Sequence, residues 1–187
     1  MVAPGIQINW GAIKGLEEAV GRDGVCSNYS YDTVESTWKF MREFKGGNAV
    51  FTFPPTPIKC GGAPQKIMWL MEHHLQRTGR RAGANISFWA PGQRIFGVDK
   101  YARSLERLVE ERDIKTHFGQ GLVEIRAASK EAVFRSMEGD VETVQKYDFI
   151  HVTPNMGAPN FIKESPLGNA DGWVDVDKDT TQHVRYE

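Results

Sequence analysis

Residues 51–75 read FTFPPTPIKCGGAPQKIMWLMEHHL. An apolar run from Phe51 ends in a proline-rich loop, and Ile67, Leu70, Met71 and Leu75 then recur at helical spacing, which predicts a helix starting near Ala63. A strand, a loop and a helix therefore follow one another directly. The loop carries Cys60, and the bare Gly61 and Gly62 after it let another group approach the sulfur closely. Unpaired N–H groups at a helix start favour a negative charge and Lys59 adds a cation, so the position suits a thiolate. The competing reading is a buried, inert cysteine, because free cysteine is often found inside proteins.

Working outward, an amphipathic helix is predicted from Asp32 to Phe44, with Asp32 as N-cap and Val34, Trp38 and Met41 on one face. Gly46-Gly47 ends it and a strand from Asn48 to Phe53 leads into the cysteine loop. Arg77-Thr78-Gly79 supplies a basic last turn and a terminal glycine to the following helix. A second strand, Asn85 to Trp89, lies at parallel-crossover distance. Tyr101, Leu105, Leu108 and Val109 stripe another helix ending near Arg112. Leu122 to Arg126 and Ala132 to Arg135 read as a meander around Ser129-Lys130, and Phe149 to Val152 as a short strand closing at Pro154.

These elements describe a Rossmann-like three-layer α/β domain with a mainly parallel sheet and a β-meander. That organisation resembles the second dinucleotide-binding domain of two-dinucleotide-fold flavoproteins. Sites in such sheets cluster at strand carboxyl ends, where Cys60 falls. A nicotinamide-binding relative would carry G-x-G-x-x-G there, but residues 54–64 read PPTPIKCGGAP. The acidic residue expected after the second strand is also missing, since Trp89-Ala90-Pro91-Gly92 fills that place. An NAD(P)H-dependent reductase is thus the disfavoured alternative. A non-catalytic interaction domain with an inert cysteine is the other.

Composition narrows the partners. Lys and Arg number 23 against 24 Asp and Glu, a net charge of −1, which gives no electrostatic reason to expect nucleic acid or an anionic membrane surface. No apolar run approaches the length of a membrane span and the start is not signal-like, so the chain is expected to be soluble, without membrane contact. His73 and His74 are adjacent on a helix and point in different directions, so no metal site is expected. Lys59 and Lys66 flank the cysteine loop and would concentrate small anions.

The run Thr56 to Lys66 (TPIKCGGAPQK), with Phe96-Gly97-Val98, Tyr101-Ala102, Ala132-Val133-Phe134, His151-Val152-Thr153-Pro154 and Gly172-Trp173-Val174-Asp175-Val176-Asp177, closely resembles sulfide:quinone oxidoreductases, in particular their mitochondrial-like branch. The likeness runs from about Ser27-Asn28-Tyr29-Ser30 onward. It implies a full-length flavoprotein that oxidises hydrogen sulfide to a persulfide or polysulfide sulfur and passes two electrons through FAD to a quinone. Cys60 would pair with a second cysteine outside this chain, and a small thiol or further sulfide would accept the sulfur.

The resemblance further implies a division into residues 1–30 as a link from a first FAD segment, 31–160 as the central domain, and 161–187 as a lead into a second FAD motif. Neither FAD motif is in the sequence, so the chain alone is expected to bind no FAD and to be inactive. Thr153 and Pro154 lie where relatives turn back toward FAD. Cys26 matches a third cysteine known in some branches. The full-length protein is expected to be peripheral to a bacterial cytoplasmic or mitochondrial inner membrane.

Overall fold

A computed structural model describes residues 1–186. In chain order the elements are β1 (Gln7–Ile8), α1 (Leu16–Ala19), β2 (Val25–Cys26), α2 (Tyr31–Glu43), β3 (Gly47–Thr52), α3 (Ala63–Arg77), β4 (Ala84–Ala90), α4 (Asp99–Glu111), β5 (Ile114–Phe118), β6 (Gln120–Arg126), β7 (Glu131–Ser136), β8 (Glu142–Lys146), β9 (Phe149–His151), β10 (Met156–Gly157) and α5 (Asn160–Lys163). A five-stranded sheet in the order β2-β9-β3-β4-β5 is parallel throughout. The strands β6-β7-β8 form an antiparallel meander, and β1 pairs with β10.

Strand periodicity sorts the core into two layers. Ala49 and Phe51 of β3, Ile86 and Phe88 of β4 and Phe149 of β9 pack with Met41 of α2, Met68 and Met71 of α3 and Val109 of α4. The alternate residues Val50, Trp89 and Ile150 pack on the other side, with Leu122 and Phe134 of the meander and Leu16 of α1. Both faces of the sheet are therefore covered, as a parallel sheet requires. Trp89 stacks on Phe134 with ring centroids 4.1 Å apart, which fastens the sheet to the meander.

Several boundaries differ from the sequence reading for local reasons. The α2 cap is Ser30, whose hydroxyl accepts the Asp32 N–H at 3.2 Å, so the helix starts at Tyr31 and Asp32 lies in its first turn. Val34, Trp38 and Leu70, spaced as core residues, are instead partly exposed along a groove between α2 and α3. Residues 1–30, read as a link, also supply β2 to the parallel sheet and α1 to its second layer. Gly47 at the start of β3 has φ +97°, and a Cβ there would collide with the Asp148 carboxylate, which accepts the Asn48 N–H at 2.8 Å.

Candidate active site

The loop between β3 and α3 leaves the middle strand of the sheet at its carboxyl end. It is tied to the chain around it at several points. Phe53 N–H donates to the Trp89 carbonyl at 2.8 Å, the Thr56 hydroxyl accepts the Met156 N–H at 2.9 Å, and Ala63 N–H donates to the Cys60 carbonyl at 3.3 Å. Cys60 is exposed, three residues before α3 begins at Ala63, with Gly62 at the N-cap of α3 and no side chain capping it. A Cβ at Gly61 or Gly62 would meet nothing within 4 Å, so neither glycine is required by this chain's own packing.

Two depressions meet at Cys60. One, of ≈ 440 Å³, is lined by Cys60, Lys59, Lys66, Asn28, Tyr29 and His151. The other, of ≈ 560 Å³, is apolar and bounded by Trp69, Leu70, Phe96 and Leu105. The first gathers the carboxyl ends of β2, β3 and β9, which is why residues far apart in sequence share it. Lys59 Nζ lies 6.0 Å from the centre of the Tyr29 ring, within reach of a cation–π contact.

His151 is fully buried, and burial presses its pKa down to about 3, so the ring is neutral. Its Nε2 accepts the Asn28 N–H at 3.1 Å, which leaves the proton of the neutral ring on Nδ1. Nδ1, the Tyr29 hydroxyl, Thr153 Oγ1 and Asn155 Oδ1 are buried polar atoms with no hydrogen-bond partner among the described residues. Burial pushes the Tyr29 phenol up to about 12; the nearby Thr153 hydroxyl offsets part of this, and the Cys60 charge adds to it. Tyr29 and Thr153 face one another without reaching hydrogen-bonding geometry. Of the unpartnered atoms, His151 Nδ1 and Asn155 Oδ1, on either side of Thr153 and Pro154, are of a kind that suits the polar edge of a flavin ring.

Cys26 lies elsewhere in character. It is wholly buried in β2, its Sγ donates to the Ile150 carbonyl at 3.5 Å, and burial pushes the thiol up to about 12. Among the described residues no cluster of three or more His, Cys, Asp or Glu side chains could hold a metal ion. His74 packs edge-on against Trp38 and meets Arg80, which gives it a structural place. No helix among the described residues is long and apolar enough to cross a membrane. Tyr29 and His151 are the site residues that motif reading missed. Both lie in stretches that carry the family likeness, Ser27-Asn28-Tyr29-Ser30 and His151-Val152-Thr153-Pro154, but nothing in those stretches singled them out as site residues.

Over all 187 residues the chain is 49% identical to the mitochondrial sulfide:quinone oxidoreductase of Mus musculus, and 47% identical over 189 aligned residues to that of Dictyostelium discoideum. The chain is a homologue of part of the sulfide:quinone oxidoreductases. It spans about two fifths of these relatives, 42% and 41% of their lengths. The solved structure of the sulfide:quinone oxidoreductase from Aquifex aeolicus superposes with a TM-score of 0.70 at 15% identity, covering 95% of this chain and 39% of that one, a likeness of fold. No protein-family model matches the chain. The three-layer α/β organisation read from the sequence is thus the one observed, and the sulfide:quinone oxidoreductase likeness extends along the whole chain.

Proposed function

We propose that this chain is the cysteine-bearing central domain of a flavoprotein that oxidises hydrogen sulfide and delivers two electrons through FAD to a quinone. One observation carries the reading: Cys60 is an exposed thiol at the carboxyl end of the middle strand of a parallel sheet, between two lysines, in a chain 49% identical to a sulfide:quinone oxidoreductase. In the nicotinamide-binding arrangement that loop would be a glycine cradle for pyrophosphate; here its length and prolines support a thiol instead.

In this reading Cys60 forms a disulfide with a second cysteine of the full-length protein. Hydrosulfide attacks it, leaving a persulfide on one cysteine and a thiolate on the other; sulfide sulfur is oxidised and the disulfide reduced. Lys59 and Lys66 concentrate the anionic hydrosulfide, while Gly61 and Gly62 leave room for the partner cysteine. Thr153 and Pro154 would meet FAD, which supplies the two-electron acceptor when bound. A small thiol or further sulfide removes the persulfide sulfur. Buried Cys26 takes no part.

The test is sulfide-dependent quinone reduction by the full-length protein, wild type against Cys60→Ser at equal flavin loading. Loss of turnover with FAD retained supports the assignment; unchanged turnover returns Cys60 to an inert structural role. We further propose that the 187 residues alone retain no FAD and reduce no quinone, which a yellow preparation of the chain would contradict. The mitochondrial relatives favour a mitochondrial setting for the whole protein; a membrane-peripheral place, without membrane contact from this part, belongs to the same proposal.

A further inference from the structure

Tyr29 sits where β2 ends and turns toward α2, in a short segment fixed by several bonds. Asn28 N–H donates to His151 Nε2, Tyr29 N–H to the Ser27 hydroxyl at 3.3 Å, and the Thr33 hydroxyl to the Ser27 carbonyl at 2.8 Å. The backbone that carries the phenol is therefore held in place. Its hydroxyl is buried without a partner, as is that of Thr153, itself 1% exposed. Leaving a buried hydroxyl unpaired is unfavourable, and a fold that keeps two together offers them to something that arrives. The same cleft holds Cys60, and the lysine before it lies over the Tyr29 ring.

We propose that Tyr29 is a positioning residue for the sulfur at Cys60: its O–H hydrogen-bonds the anionic sulfur that Cys60 bears as thiolate or persulfide, while the Thr153 hydroxyl donates to the phenol oxygen. This rests on reading Cys60 as the sulfur-bearing residue. The phenol stays protonated across the neutral range, so toward a sulfur anion it acts as donor. The other groups facing the sulfur are Lys59 on its own loop, Lys66 on α3 and neutral His151 on β9. The lysines act through charge and the phenol through direction, which separates their effects by salt.

The experiment follows alkylation of Cys60 by iodoacetamide in this chain against pH, at low salt and at 1 M salt, for wild type, Tyr29→Phe and Lys59→Met. Phenylalanine keeps the ring and drops only the unpaired hydroxyl, so Tyr29→Phe should melt at or above the wild-type temperature. The Tyr29→Phe rate at pH 7 should fall about tenfold, the yield expected from losing one hydrogen bond to a charged group. Its profile should move to higher pH, and the difference should survive at 1 M salt, where the screening length is about 3 Å. The Lys59→Met difference should shrink there. Superimposable wild-type and Tyr29→Phe profiles, with Cys60 readily alkylated, overturn the role of Tyr29 alone. If wild-type Cys60 resists alkylation at every pH, the reading of Cys60 as a reactive thiol falls, and Tyr29 with it.

Discussion

The backbone N–H of Asn28 donates to Nε2 of His151 at 3.1 Å, joining the segment after β2 to the end of β9. Because burial holds His151 near pKa 3 against an ordinary 6.5, the unfolded chain binds a proton between those values that the native chain does not. Stability from this group is complete above 6.5 and declines as pH falls toward 3, by at most about 1.4 kcal/mol per pH unit. Urea midpoints should drop over that interval, and His151→Gln should flatten the His151 share of the decline. An unchanged slope in the variant would show that the histidine is not the titrating group.

The two cysteines should separate cleanly. A thiol reagent is expected to modify Cys60 alone in the native chain and both thiols in denaturant, with Cys26 slower by a factor on the order of 10³ or more, set by its need for unfolding. Peptide mapping after a short pulse reads this directly.

Glu72 of α3 is 3% exposed and accepts from Arg112 at 3.1 Å and from Gln76, with Arg81 at 3.9 Å. The carboxylate anchors α3 to the chain just beyond α4. Glu72→Ala should destabilise by about 1–3 kcal/mol, from the lost hydrogen bonds of Arg112 and Gln76 to the carboxylate. Arg112→Ala should cost at least as much, because it leaves the buried carboxylate with Gln76 and the more distant Arg81. Equal urea midpoints for wild type and Glu72→Ala would remove the anchor from the account.

Gly47→Ala is expected to cost about 2 kcal/mol or more, from a left-handed φ of +97° combined with a collision against Asp148. Thermal melting of the variant checks it. The double change Gly47→Ala with Asp148→Ala should relieve the collision but stay below wild type, because the backbone strain stays and the Asn48 N–H loses its carboxylate acceptor.

What the sequence showed of this fold followed where burial wrote a pattern. β3, α3 and β4 stand out because their apolar residues face a core, and the layered organisation follows from their order. The strand β8, ETVQK, gave no such signal because most of it faces solvent on the meander's edge, and two-residue β2 is too short to carry a period. Trp38 and Leu70 mark the opposite limit. Helical spacing places residues on a shared face, but whether anything covers that face is decided by neighbouring elements. At the site, Cys60 was legible from the loop around it. Tyr29 and His151 were not, since a single residue beside or within a strand of two or three residues acquires meaning only once β2 and β9 lie side by side.

The order β2-β9-β3 sets a timetable for the growing polypeptide. The first of these strands to be synthesised has its only sheet neighbour at the far end of the domain, with Cys26 opposite His151. On a ribosome, β3, α3, β4 and β5 can associate early, whereas β2 waits until residue 151 has emerged. The cleft around Tyr29 therefore has no complete wall until β9 is made, and a chain stalled before β9 would hold its cysteine loop without the side that faces it.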